Sequence, residues 1–319
     1  MRFREASELD IPAIESTFGE RNALPLDPRV RAALPALLRR LIASPAATLT
    51  VFEDDQQPGV PFVSFAGGLF LREAVIADYL AAPAPALLSS VLTAMLDDRR
   101  PLLTLDEIRR DNSTKGLILG VFPIPLGHRA WDDPRTDHLR RLAPQAFMRY
   151  HAGYRLKEIY YEVFTDEVAE YLRLGGYRLL HDFSSCAGTG VLPAHCRPRM
   201  FRLGRADLAP GAMSMATQFF DPPEPRLGLA PAEQRVVLKA LDGLSDRALA
   251  DSLNLSTETV RSCWRSIYRR LELAIPALRA MADESERSTR GREKRRIAIE
   301  HLRQNMHELR PWIAQTAKS

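Results

Sequence analysis

Val260, Trp264, Ile267 and Leu271 recur at spacings of 4, 3 and 4, a pattern that buries one face only if the segment is helical. The residues before it supply two more helices. Pro231 suits a first helical turn, Glu233 sits near the positive N-terminal end, and Val236, Val237, Ala240 and Leu241 make a buried face. Gly243 ends that helix in a conformation open to glycine. Ser245 caps a second helix, Asp246 to about Leu253, which buries Leu249, Ala250 and Leu253. Asn254 tolerates a left-handed turn, and Ser256 caps the third helix. Residues 229–273 are therefore expected to form a small all-α domain.

The opposite face of the third helix carries Thr257, Glu258, Arg261, Ser262, Arg265 and Arg269, with Arg270 beside them. Two helices joined by a tight turn, the second with a basic exposed face, is the helix-turn-helix design, whose second helix fits the major groove of DNA. The segment closely resembles the DNA-binding domain of LuxR-type transcriptional regulators. The shared residues are Leu229, Pro231, Glu233, Gly243-Leu244-Ser245, Leu249-Ala250, Ser256, Thr259-Val260-Arg261, Ile267 and Arg270-Leu271. Arg235, Ala248 and Cys263 depart from the residues usual there. The resemblance implies a recognition helix, Ser256–Leu271, in which Arg261 and its exposed neighbours approach base edges while Ser256, Thr257 and Thr259 hold phosphates. The implied DNA-contacting set is Ser256, Thr257, Glu258, Thr259, Val260, Arg261, Ser262, Arg265 and Arg269.

Charge distribution points the same way. Residues 226–319 hold 18 of the 44 Lys+Arg and 12 of the 40 Asp+Glu, leaving 26 and 28 for residues 1–225. A basic tail on a mildly acidic body suits a polyanion at the tail. Gly204, Pro210, Gly211, Pro222, Pro223, Pro225 and Gly228 mark 206–228 as a linker. Beyond 273, the apolar-poor run 283–296 reads as an exposed basic connector. A last helix, about Glu293–Leu309, carries Ile299, Leu302, Met306 and Leu309 on one face, which packs on the protein or forms a dimer seam.

Residues 1–205 read as a mixed α/β (α+β) input domain. Thr48–Phe52, Val60–Phe65, Leu117–Phe122, Leu156–Phe164 and Tyr177–Phe183 are the predicted strands. Ile11–Phe18, Val30–Ile42, Pro85–Leu96 and Asp166–Leu174 are the predicted helices. Arg2–Thr17 and Glu162–Phe183 resemble the opening and the late strand, helix, strand order of the GNAT acetyltransferase fold. The Gly-rich loop by which that family cradles its coenzyme has no aligned counterpart, and Gly116–Gly120 reads as a buried strand. Asp54-Asp55 reads as a turn rather than a phosphoacceptor pair, and no acyl-homoserine-lactone pocket pattern is present.

His181, Cys186, His195 and Cys196 fit no structural-zinc spacing, so no metal and no cofactor is expected. The charged opening residues lack the apolar run of a signal peptide. No stretch reaches the ~18 uncharged apolar residues of a membrane span, so the expected location is cytoplasmic. The expected protein is a non-enzymatic, homodimeric DNA-binding transcription regulator with an effector at its N-terminal domain. The alternative is a GNAT-like acyltransferase with an appended DNA-binding tail.

Overall fold

Alternation along the strands decides the architecture of the first part of the chain. In β2 (Ala47–Glu53), Leu49 and Val51 face one way and Phe52 the other; in β5 (Leu156–Val163), Tyr160 and Val163 likewise separate. A sheet buried on both faces needs helices on both. The computed structural model describes residues 1–18, 26–54, 64–122, 134–186, 197–208, 216–274 and 287–313. These divide into two compact units, one holding Met1–His151 and Arg155–Phe220, the other Ala152–Tyr154 and Asp221–Ala314.

The first unit is built on a seven-stranded sheet. Its strands are β1 (Arg2–Glu5), β2, β3 (Ser64–Leu71), β4 (Leu117–Phe122), β5, β6 (Arg178–Asp182) and β7 (Arg199–Gly204), in the order β1-β2-β3-β4-β5-β7-β6. Every neighbouring pair is antiparallel except β4 and β5. Parallel neighbours need a crossover, and α6 (Pro134–His151) lies between them in the chain.

One face packs on α1 (Ile11–Thr17), α2 (Pro28–Ile42), α3 (Glu73–Ala81) and α4 (Leu87–Leu96). There Leu49, Val51, Phe65, Leu69, Ile118, Tyr160 and Met200 meet Ile14, Val30, Leu34, Ile76 and Val91. On the other face, Phe52 and Ala66 meet Leu139 and Ala146 of α6, while Val163 and Phe201 meet Ala169 and Leu172 of α7 (Asp166–Leu174). The helix α5 (Leu105–Ser113), capped by Thr104 and Glu107, delivers the chain to β4. The expected buried strand at Gly116–Gly120 is β4, with Leu117, Ile118 and Leu119 buried.

Four differences from the sequence reading have physical reasons. β3 continues through Gly67-Gly68 to Leu71, although glycines weaken strand propensity. Gly68 is used because His151 Nε2 lies 2.6 Å from where a Cβ would stand. β7 was hidden by the alternating arginines of RMFRLG; Arg199 and Arg202 are each held by two carboxylates. The helices α3, α5 and α6 are additional to those the sequence predicts. Within the stretch read as linker, Phe219 and Phe220 of α8 (Thr217–Phe220) are buried, Phe219 against Phe147 at 5.2 Å.

In the second unit, α9 (Pro231–Ala240), α10 (Asp246–Leu253), α11 (Thr257–Ala274) and α12 (Arg287–Gln304) surround Val236, Val237, Leu249, Val260, Trp264, Ile267 and Leu271. Leu302, Met306 and Leu309 join this core, so the C-terminal stripe packs on its own unit. The run read as an exposed connector is helical from Arg287. Lys294 pairs with Glu272 at 3.0 Å, and Arg295 bonds Asp246 while its guanidinium lies 4.6 Å over the Trp264 ring.

Gly68→Ala is expected to destabilise the first unit by about 1–3 kcal/mol, because the imidazole it would strike is fixed between Phe147 and Phe70. Urea unfolding of the full chain measures it; an unchanged midpoint would show that His151 moves freely. Trp264→Ala is expected to cost about 3–5 kcal/mol in the second unit, the usual range for a buried aromatic. Loss of tryptophan-free helical signal at lower temperature by circular dichroism checks it.

Candidate functional site

The most unusual polar group of the first unit lies at the carboxyl end of the parallel pair. β4 and β5 are in register from Leu117/Leu156 to Val121/Tyr161, with an irregularity between Leu117 and Ile118. One residue beyond that pairing, Glu162 is 4 % exposed and paired across to Met200 of β7. Its side chain shares a face with Tyr160 and Glu158, on the side covered by α1 to α4.

A buried carboxylate must be bonded or neutral. Glu162 accepts from the backbone N–H groups of Ala86, at 2.6 Å, and Leu87, at 2.8 Å. These are the first amides of α4, whose N-cap, Ala86, has no side chain with which to cap. The cap therefore comes from β5, more than seventy residues away along the chain. Ala86 holds φ +70°, a left-handed conformation that a non-glycine residue adopts at a cost of ~1–2 kcal/mol. Burial pushes the Glu162 carboxyl up to about 7, and the two amides pull it back only in part.

Tyr79 of α3 stands nearby and feels the charge of Glu162; burial raises its phenol well above the ordinary range. Its hydroxyl is buried and has no hydrogen-bond partner among the described residues. The His181 ring of β6 lies edge-on to Tyr79 at 6.3 Å and stacked on Phe183 at 5.8 Å. On the same sheet face, Tyr160 donates to Glu158 at 3.0 Å, and Arg202 joins Glu158 to Asp207. A buried carboxyl raised towards neutrality makes Glu162 the candidate functional group of this unit.

Other clusters are saturated. Glu73, at the opposite end of the β4–β5 pair, bonds Lys115 at 3.0 Å and also Lys157, and their ammoniums hold its carboxyl down to about 2. Among the described residues no group of three or more His, Cys, Asp or Glu could hold a metal ion. His195 and Cys196 lie outside the described residues, as does Asp55.

Sequence reasoning passed over Glu162 because it is one acid in an apolar strand, LKEIYYEV. The available signal was its register: residues 158, 160 and 162 share a face, and Tyr160 belongs inside. Tyr79 offered no signal, since its helix was not anticipated.

Of the residues expected to contact DNA, one is in the core and the others lie on the surface of α11 and its cap. Val260 is fully buried in the core of the second unit. Ser256, Thr257, Glu258, Thr259, Arg261, Ser262, Arg265 and Arg269 are exposed on α11 and its cap. Ser256 accepts from the Thr259 amide at 3.0 Å, and the two hydroxyls bond each other at 2.8 Å. Glu258 bonds Arg265 at 2.8 Å and lies 3.8 Å from Arg261. The basic face is therefore partly neutralised by its own glutamate, and the two cap hydroxyls are already engaged.

No protein-family model matches the chain, and no curated protein matches it either. Solved structures do. A mutant of spermidine N-acetyltransferase SpeG from Vibrio cholerae is 12% identical, covering 66% of this chain and 100% of that one, with a TM-score of 0.38. Arabidopsis thaliana NAA60 in complex with acetyl-CoA is 10% identical over 64% of this chain and 98% of that one, at 0.38. Drosophila melanogaster polyamine N-acetyltransferase is 13% identical over 63% and 98%, at 0.36. Against the expectations of a non-enzyme, of a LuxR-type helix-turn-helix transcription regulator and of double-stranded DNA as the partner, the structures matched are acetyltransferases. No helix among the described residues is long and apolar enough to cross a membrane.

Glu162 gives the first unit a pH signature. Its folded-state carboxyl keeps a proton that the unfolded chain has already released at its ordinary value of 4.5. The stabilisation is thus fully present below pH 4.5 and is lost as pH rises through about 7. Denaturant titrations from pH 4.5 to 8 are expected to show wild type losing on the order of 3 kcal/mol relative to Glu162→Gln across that window. Parallel curves for the two proteins would place the charge of Glu162 in a polar environment instead.

Proposed function

We propose that residues 1–220 form a GNAT-like acyltransferase that moves an acyl group from an acyl-coenzyme A thioester to an amine. The observation that carries this reading is the single parallel pair, β4–β5, inside an otherwise antiparallel sheet, with a buried near-neutral carboxyl at its carboxyl end. Open α/β sheets take ligands beyond the carboxyl ends of their parallel strands. The opening β1–α1 and the late β5–α7–β6 successions are also those implied by the GNAT resemblance.

Acyl transfer forms a C–N bond and breaks a C–S bond, and the attacking amine must lose a proton. Glu162, with a carboxyl at about 7, is suited to accept that proton at neutral pH.

Two measurements test the proposal. Calorimetry of the full chain with acetyl-CoA is expected to show binding, and a thiol-release assay across a panel of amines is expected to show turnover. Glu162→Gln is expected to lower kcat by ~10²–10⁴ at pH 7 while acetyl-CoA still binds. Absence of both acetyl-CoA binding and thiol release would overturn the assignment.

A further inference from the structure

The crossover from α6 to β5 changes allegiance along the chain. His151 ends α6 in the first unit and Arg155 leads into β5 there, yet Ala152–Tyr154 belong to the compact body of the second unit. Both flanks are fixed. The His151 ring is buried against Phe147 and Phe70, and its Nδ1 lies 3.0 Å from the Phe147 carbonyl. The Arg155 amide donates to Asn112 at 2.7 Å, and the Arg155 carbonyl accepts from Leu117, the first residue of β4, at 2.9 Å. So short a segment between fixed ends has little slack, since each residue spans at most ~3.6 Å.

Within the second unit, Ala152–Tyr154 are held closely. Arg310, 4 % exposed, donates from Nε to the Ala152 carbonyl at 2.9 Å, and its guanidinium lies 4.6 Å over the Tyr154 ring. Gly153 has φ +86°, and a Cβ there would stand 2.5 Å from the Met306 carbonyl carbon and strike the His307 amide nitrogen. Met306–Arg310 is fastened in turn to its own unit. Gln234 donates to the carbonyls of Glu308 and Arg310 at 3.3 and 3.1 Å. Glu308, 4 % exposed, accepts from the Arg226 and Leu227 amides at 2.8 and 2.9 Å. A buried guanidinium is costly to leave unmatched, so its grip on this carbonyl and this ring is not given up lightly.

We infer that the second unit is a clasp on the α6–β5 crossover, through which its own state controls the start of the β4–β5 pair. Closed, Arg310 and the Met306-His307 backbone hold Ala152–Tyr154 in place. Opened by displacement of Met306–Arg310, the crossover gains slack, and Arg155 loosens its bonds to Leu117 and Asn112. The second unit is then a regulatory element of the sheet and not an independent appendage. The coupling runs through chain connectivity and is reciprocal. The clasp exists whether or not the first unit transfers acyl groups.

Amide hydrogen exchange of the isotope-labelled full chain, read by NMR, tests the clasp. The Leu117 and Arg155 amides are the reporters; the Phe70 amide, bonded to Ala46 at 2.8 Å elsewhere in the first unit, is the reference. Arg310→Ala is expected to speed exchange at both reporters by about tenfold to a hundredfold, as befits loss of a hydrogen bond from a charged group, and to leave Phe70 unchanged. Arg310→Lys keeps the charge without the guanidinium plane and is expected to fall between. In wild type, rising sub-denaturing urea is expected to release the two reporters with the same urea dependence as the Ile267 amide in the core of the second unit. Reporters as protected in Arg310→Ala as in wild type would overturn the clasp. So would a Phe70 amide accelerated equally, which means loosening of the whole first unit. Should Arg310→Ala unfold the second unit, the same release is expected, because an unfolded second unit is an open clasp. Should it unfold the whole chain, Arg310→Lys and the wild-type urea series decide. No readout involves acetyl-CoA, so failure of the clasp and failure of the acyltransferase reading stay distinguishable.

Discussion

Strand β5 is fastened at both ends by side chains that bond backbone, and the first unit depends on that fastening. At its start, Asn112 of α5, fully buried, accepts from the Arg155 amide at 2.7 Å, while the Leu117 amide donates to the Arg155 carbonyl at 2.9 Å. At its far end Glu162 takes the two amides that open α4. Between these points β5 joins β4 in parallel and β7 in antiparallel, so it is the strand at which the sheet changes sense. Parallel pairing is intrinsically the less local and less stable kind, and here the Asn112 side chain of α5 secures one end and the Glu162 side chain of β5 itself the other.

That arrangement explains why the same residue is a structural cap and carries a raised carboxyl. A helix start that lacks its own capping side chain must import one, and a cap imported from a central strand is necessarily buried. Burial then lifts the carboxyl towards neutrality, more than two amides can offset. The raised carboxyl of Glu162 is thus a consequence of how α4 is anchored. In the second unit the opposite holds. Its cations are matched locally, Arg265 by Glu258, Lys294 by Glu272 and Arg295 by Asp246. Ion pairs of this kind register helices against one another and leave the exposed basic face weaker than its composition implies.

The legible parts of the chain were those where one pattern dominated. Asp166–Leu174 is delimited in the sequence by the Gly175-Gly176 stop, and Leu117–Phe122 by its branched run. Val260, Trp264, Ile267 and Leu271 declared their buried face through spacing alone. What escaped was written in long-range terms. Gly67-Gly68 reads as a break until His151, over eighty residues later, fills the space above it. Arg199 and Arg202 read as surface until Asp166, Asp182, Glu158 and Asp207 are placed around them. Glu162 and Tyr79 share the same difficulty, because neither means anything until the sheet brings α3, α4 and β5 together.

Functional inference from a local motif met the same limit. The residues at 229–271 agree with a regulator's pattern in register, and their buried stripe is real, yet burying a stripe is what any three-helix unit must do. The discriminating part of that pattern lay on the exposed face, where Arg261 and Arg265 spend part of their charge on Glu258 and where the Ser256 and Thr259 hydroxyls bond each other. A core pattern establishes how a segment folds, whereas its chemistry is set by which exposed groups stay unpaired. By that criterion the first unit carries the stronger signal, since a buried carboxyl raised towards neutrality at the carboxyl end of the parallel pair is a feature that packing alone does not require.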